Sequence, residues 1–170
     1  MPKIITIPEK FLQADDRPFR QAKRGPDGEA VLRRDDKGAV MRNDQGEALV
    51  ETEDSTFLDM LKGFLNTVFV LVRNKKLVAE AKAAERKVSE PVVEMTIEDS
   101  SLAYDIFRAI RVVKDGKLEL EKAPYERLLE WVNKYGVDIF SVNAAVFREP
   151  LITATDGETT RGERRRQEKS

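Results

Sequence analysis

The stretch Ser55-Thr56-Phe57-Leu58-Asp59-Met60-Leu61-Lys62-Gly63-Phe64-Leu65-Asn66-Thr67-Val68-Phe69-Val70-Leu71-Val72 decides the fold. Apolar residues recur in it at three and four positions, the period of an α-helix, and Asp54 or Ser55 is placed to cap its first turn. They also exceed a single stripe: Phe64, Val68 and Leu71 mark one side, and Leu58, Leu65 and Phe69 another. A helix apolar around most of its circumference must be enclosed on several sides, so it is either the core helix or part of an oligomer contact. Asp59, Lys62 and Asn66 interrupt the run, and it falls short of the ~20 apolar residues that span a bilayer.

Downstream, Arg73 to Lys76 break the apolar run, and residues 77–88, mostly Ala, Lys, Glu and Arg, predict a second, solvated helix stopped by Ser89-Glu90-Pro91. Val93, Met95 and Ile97 alternate with polar residues as a half-buried strand does. Thr96 or Asp99 then caps a helix from near Ser100 that buries Leu102, Ile106 and Ile110. Lys114-Asp115-Gly116-Lys117 reads as a hairpin turn between residues 110–113 and 118–121, the alternative being a helix that continues to Val113. Pro124 sits in the first turn of a helix with Tyr125, Leu128, Leu129 and Val132 on one face, and Gly136 is placed to end it. A last amphipathic segment covers residues 139–147, limited by Pro150, and residues 152–170 read as a disordered charged tail.

Upstream, residues 1–53 are polar and rich in Gly and Asp. They hold an internal repeat: Ala30-Val31-Leu32-Arg33, Ala39-Val40-Met41-Arg42 and Ala48-Leu49-Val50-Glu51, each after a turn glycine, Gly28, Gly38 or Gly46. The spacing of nine predicts a meander of three short strands. Alternation puts Val31, Val40 and Leu49 on one face and Leu32, Met41 and Val50 on the other. Two readings stand: a charged arm whose repeat is chance, or an extended arm that orders against a neighbouring subunit. The fold class expected is therefore α+β and helix-dominated, with four to five helices and a short hairpin in a core of residues 54–151, plus the N-terminal arm.

Composition narrows the chemistry. The chain of 170 residues has no cysteine and no histidine, and its 30 Lys+Arg against 31 Asp+Glu leave a net charge of -1. Thiolate and imidazole ligands, cysteine nucleophiles and the commonest proton shuttle near neutral pH are absent, and no global field draws it to nucleic acid or an anionic membrane. The first ten residues are too short in apolar run for a secretory signal, and a reducing, cytoplasmic setting is expected. Glu119 with Glu121, or Asp99 with Asp105, has the residue types of an acid–base pair but nothing that fixes it in a cleft, so no catalytic residue is assigned. No glycine run has the spacing of a dinucleotide or phosphate loop, and the aromatic set Phe57, Phe64, Phe69, Trp131, Tyr135, Phe140 and Phe147 reads as core. No enzyme activity, cofactor, metal or small-molecule substrate is expected. The partner-binding residues expected are Leu58, Leu65 and Phe69 on the helix and Val31, Val40 and Leu49 on the arm. Arg161, Arg164, Arg165, Arg166 and Lys169 form a basic cluster able to contact phosphates, diluted by Glu163 and Glu168 and without an aromatic to stack on a base.

One resemblance adds a setting. Lys117-Leu118-Glu119-Leu120-Glu121, then Ala123-Pro124-Tyr125-Glu126-Arg127-Leu128-Leu129, then residues 142–147, together resemble the C-terminal part of small proteins encoded among the head and tail assembly genes of tailed bacteriophages. The resemblance implies a structural or assembly factor without enzymatic activity, binding itself or other capsid or tail subunits. The alternative is a nucleic-acid-associated regulator that uses the basic tail.

Overall fold

The computed structural model describes residues 1–86 and 94–157. The chain is α+β and divides into two units, one of residues 1–9 with the chain from Phe57 onward and one of residues 10–56. The break therefore falls inside the expected arm: its first nine residues belong with the helices.

In the first unit, β1 (Lys3–Thr6) is the central strand of a three-stranded antiparallel sheet of order β4-β1-β5. Its partners are β4 (Lys117–Leu120), with Ile5 opposite Leu118, and β5 (Thr155–Asp156), with Lys3 opposite Asp156. Ile5 is fully buried, as are Leu118 and Leu120 on the inward face of β4. Strand β5 lies in the region expected to be a disordered tail; Gly157 donates its amide to the Pro2 carbonyl, and Lys3 binds Asp156 at 2.8 Å.

Among the described residues this unit holds three long helices and one short one, the second packing on β4 and the short one on β1, in place of the four to five helices expected. Helix α1 (Phe57–Arg86) merges the two helices predicted on either side of Arg73 to Lys76. Those basic residues do not interrupt the backbone, because straight-chain side chains favour a helix. Lys75 is tied to Asp138 at 2.6 Å and Lys76 to Glu94. Helix α2 (Ile97–Arg111) starts at a capping box: the Thr96 hydroxyl accepts from the Asp99 amide while the Asp99 carboxylate accepts from the Thr96 amide. Glu94 to Thr96 are not a strand and Ile97 opens the helix with 90% exposure, so the alternation of Met95 and Ile97 was a helix entry; Val93 lies outside the described residues. Helix α2 also takes up residues 110 and 111, the start of the predicted hairpin strand. The turn at Asp115-Gly116, with φ of 50° and 66°, leads only into β4.

Helix α3 (Lys122–Phe140) carries Pro124 in its first turn and passes straight through Gly136. That glycine is buried and is not a cap; a Cβ there would make ordinary contact with Val132 at 3.6 Å and Ala144 at 3.7 Å, so α4 packs back onto α3 at this point. A 3-10 turn (Ser141–Asn143) and the short α4 (Ala144–Ile152) replace the last amphipathic helix, and Pro150 lies inside α4. The core is aromatic: Phe147 stands 5.5 Å from Phe57, 5.4 Å from Phe64 and 4.3 Å from Phe140. Such offset and tilted pairs add to the area they bury. Buried Leu61, Leu65, Val68, Ile106, Leu128 and Leu151 complete it. No described helix is long and apolar enough to cross a membrane.

The second unit has almost no core. Between residues 10 and 56 only Phe11, Phe19 and Ser55 are buried, and the two rings stack at 4.9 Å. Its regular strands are β2 (Arg20–Ala22) and β3 (Thr52–Asp54), an antiparallel pair.

Candidate functional site

The order in residues 20–54 comes from turn chemistry. Three turns share one geometry: the amides of Gly25, Asp35 and Asn43 donate to the carbonyls of Glu29, Ala39 and Glu47, and the amides of Gly28, Gly38 and Gly46 donate back to Gly25, Asp35 and Asn43. All three turn glycines have φ of 81°, a backbone state open to glycine and strained for other L-residues. Asp35 and Asn43 brace their turns, each carboxyl or amide oxygen accepting from two amides ahead of it. Arg24, Arg34 and Arg42, each just before its turn, donate Nη1 to the carbonyl of the turn glycine at 2.6–2.8 Å. A fourth turn repeats the pattern without glycine: Gln13 bonds Arg17, and Asp16 takes φ of 62°.

The hairpins that these turns close do not lie side by side as a meander. They meet at two three-way junctions. At the first, Val31 donates to Lys23, Lys23 to Glu51 and Glu51 to Val31, all at 2.8–2.9 Å. At the second, Met41 donates to Arg33, Arg33 to Leu49 and Leu49 to Met41, again at 2.8–2.9 Å. Two opposed residues of an ordinary antiparallel ladder exchange two bonds; here each gives one and passes the other to a third strand. Every amide and carbonyl in the ring is satisfied, so the branch leaves no orphaned backbone group. Ribbon β2–β3 and the hairpin through Arg24 and Ala30 leave the first junction, and the pair Leu32–Val50 joins it to the second. The hairpins through Arg34–Val40 and Arg42–Ala48 leave the second. The unit is a branched ribbon with three bare hairpin tips.

This corrects the predicted register. The turn glycines are spaced ten and then eight, not nine, so the middle repeat is displaced by one residue, and a one-residue slip turns a side chain to the opposite face. The junction residues Val31, Met41 and Leu49 share one face, half-buried. Val40 lies on the other, with Ala30, Leu32, Ala48 and Val50, where Leu32 is 37% and Val50 38% exposed. Neither face finds cover in its own unit. Two ion pairs and a hydrogen bond tie the stem: Lys23 to Glu51 at 3.0 Å and Arg20 to Asp54 at 3.8 Å, with the Gln21 amide donating to Glu53 at 3.2 Å.

The helical candidates fall elsewhere. Leu65 is buried and Leu58 half-buried, and Phe69, also half-buried, meets Trp131 edge-on at 5.8 Å, so the second apolar side of α1 serves its own core. Among its described side chains, the large apolar ones that α1 exposes are Val70, Leu77 and Val78, each more than half accessible. Arg161, Arg164, Arg165, Arg166 and Lys169 lie outside the described residues.

The carboxylates considered as acid–base pairs are taken up differently. Asp99 is buried beneath the capping box with Arg127 at 2.6 Å. Burial pushes its carboxyl up, but the Thr96 amide, the Arg127 guanidinium and the Thr96 hydroxyl outweigh that and hold it below the ordinary aspartate range. It is an anchor between α2 and α3. Glu119 and Glu121 are exposed. Among the described residues, no three carboxylates stand together as a metal would require. Comparison with family models, with curated proteins and with solved structures found no match.

Proposed function

We propose that this chain is a non-catalytic protein–protein interaction component that acts as an oligomer, of the kind that builds or helps to build the particle of a tailed bacteriophage. The branched ribbon carries the reading. Its backbone is fully specified, by glycines at fixed turn positions and two closed hydrogen-bond rings, yet it buries almost nothing within its own unit. Ordering a residue costs about 1–2 kcal/mol of backbone entropy, which is ordinarily offset by apolar burial. A ribbon with apolar side chains on both faces gains that burial when another chain covers it. The phage setting rests on the resemblance over residues 118–151.

The experiment is sedimentation velocity on the full chain and on a Leu32→Glu, Val50→Lys double variant. The two side chains are exposed and face one another across the strand pair, so opposite charges are tolerated in the isolated chain and costly to bury in a contact. The wild type sediments as an oligomer and the variant as a monomer with unchanged helical circular dichroism. Indistinguishable sedimentation of the two overturns the ribbon's role.

A further inference from the structure

The two faces of the branched ribbon differ in charge. Successive residues of a strand point to opposite faces, so the bridged pairs define one face and the ring residues the other. Arg24 opposes Ala30, Arg34 opposes Val40 and Arg42 opposes Ala48, which puts all three arginines on the face of Leu32 and Val50. In the stem, Arg20 opposes Asp54 and Ala22 opposes Thr52 on that same face. Its strand positions thus hold four arginines, Arg20, Arg24, Arg34 and Arg42, against one carboxylate, Asp54.

The junction face has the opposite sign. Lys23, Val31, Arg33, Met41, Leu49 and Glu51 form its rings, and Gln21 opposes Glu53 beside them. Glu29, Asp35 and Glu47 each adjoin a bridged residue and help to close a turn, so alternation adds them to this face. Five carboxylates, Glu29, Asp35, Glu47, Glu51 and Glu53, therefore stand against two cations, Lys23 and Arg33. Pairing within the ribbon leaves most of these charges over: between residues 20 and 54 the ion pairs are Arg20 with Asp54 and Lys23 with Glu51. Arg24, Arg34 and Arg42 each spend Nη1 on the carbonyl of their own turn glycine. That bond steadies the guanidinium and leaves its Nε–Nη2 edge, the parallel donor pair that grips a carboxylate, unspent.

We propose that the ribbons of successive copies of this chain stack face to back, the arginine-bearing face of one on the carboxylate-bearing face of the next. Leu32 and Val50 of one copy then lie against the half-buried Val31, Met41 and Leu49 of its neighbour. Apolar burial supplies the affinity, and the opposed charges set which faces meet. Pairing of like faces would set arginine against arginine, or carboxylate against carboxylate, and is repelled. A contact between two different faces is heterologous, so it repeats from copy to copy and ends only where the rotation closes a ring. The inference rests on the reading of the ribbon as the surface through which the chain assembles, and adds which faces meet.

Sedimentation velocity on the full chain reads the test. Arg34→Glu with Arg42→Glu leaves the first face with two cations against three carboxylates, and Glu29→Lys with Glu47→Lys leaves the second with four cations against three carboxylates. Each variant alone associates about tenfold or more weakly than wild type. An equimolar mixture of the two recovers association, because the intact face of each meets the intact face of the other. Hydrogen exchange at the ring amides, unchanged in both, shows that the ribbon is intact. Where a variant loses that protection, Arg34→Gln with Arg42→Gln and Glu29→Gln with Glu47→Gln take its place, with smaller losses in the same direction. Wild type gives a readout without substitution: its association weakens as ionic strength rises from about 0.05 to 0.5 M. Assembly that Leu32→Glu with Val50→Lys dissolves, but that the Glu29 and Glu47 substitutions leave intact, overturns the stacking and leaves the ribbon's role standing. A mixture that stays dissociated overturns the face-to-back arrangement. A monomeric wild type, or assembly indifferent to every substitution, overturns the stacking and the ribbon's role together.

Discussion

Replacing a glycine by alanine has opposite consequences at two exposed positions of this chain, and the sign is set by backbone dihedral alone. Gly38 closes the middle hairpin with φ of 81°, and Gly63 lies in α1; a Cβ built at either meets nothing within 4 Å. Steric clash is therefore excluded from both. At Gly38 the left-handed conformation costs an L-residue about 1–2 kcal/mol, which multiplies the opening equilibrium of that hairpin by roughly 5–30. At Gly63 the helical conformation suits alanine, and the restricted unfolded chain gives about 0.5–1 kcal/mol of stabilisation. Hydrogen exchange read residue by residue separates the two. Gly38→Ala lowers protection by that factor at the ring amides of Arg33, Met41 and Leu49, which form the junction that its hairpin leaves, and leaves the amides of α3 unchanged. Gly63→Ala leaves the rings alone and raises the urea midpoint of the helical signal. If Gly38→Ala leaves ring protection intact, the turn does not have the conformation described, and the branched ribbon built on it fails.

Other perturbations test the first unit. Asp99→Asn removes the charge that holds Thr96 and Arg127, at a cost of about 1–3 kcal/mol at neutral pH, toward the lower end because Arg127 is partly solvated and screened. The folded carboxyl lies below its ordinary value, so its contribution is fully present above 3.8 and is lost as pH falls below that toward the folded value. Urea melts of wild type and variant should differ at neutral pH and converge in acid; a gap that widens in acid contradicts the assignment. Phe147→Ala empties the centre of the aromatic cluster and costs about 3–5 kcal/mol by chemical denaturation; a loss under about 1 kcal/mol would place the core elsewhere. Leu65→Lys buries a charge and lowers helical circular dichroism, whereas a folded variant with altered mass would restore Leu65 to an interface.

Local chemistry was readable before the structure. The turn glycines, the Thr96 cap, the Asp115-Gly116 turn, Pro124 and the stripe of Tyr125, Leu128 and Val132 all express constraints carried by a few neighbouring residues. What escaped depends on partners distant in sequence. Ile5 finds Leu118 across more than a hundred residues, and nothing in the first strand announces it. The junction rings each need a third strand that pairwise hairpin reasoning does not supply. Alignment on Ala39, a residue without a packing role, hides the register of the middle repeat, which the backbone of Gly38 sets. Gly136 reads as a helix end along the chain, yet α3 continues through it and packs with α4, a contact that exists only once the helices assemble. The second side of α1 reads as a partner surface in sequence because the depth of the aromatic core around Phe147 cannot be counted along one helix.

Native mass spectrometry of the full chain at micromolar concentration tests the central claim most directly. The interaction reading predicts masses that are multiples of 19.4 kDa, reduced to 19.4 kDa by Leu32→Glu with Val50→Lys. A wild-type spectrum that holds only the 19.4 kDa species contradicts it.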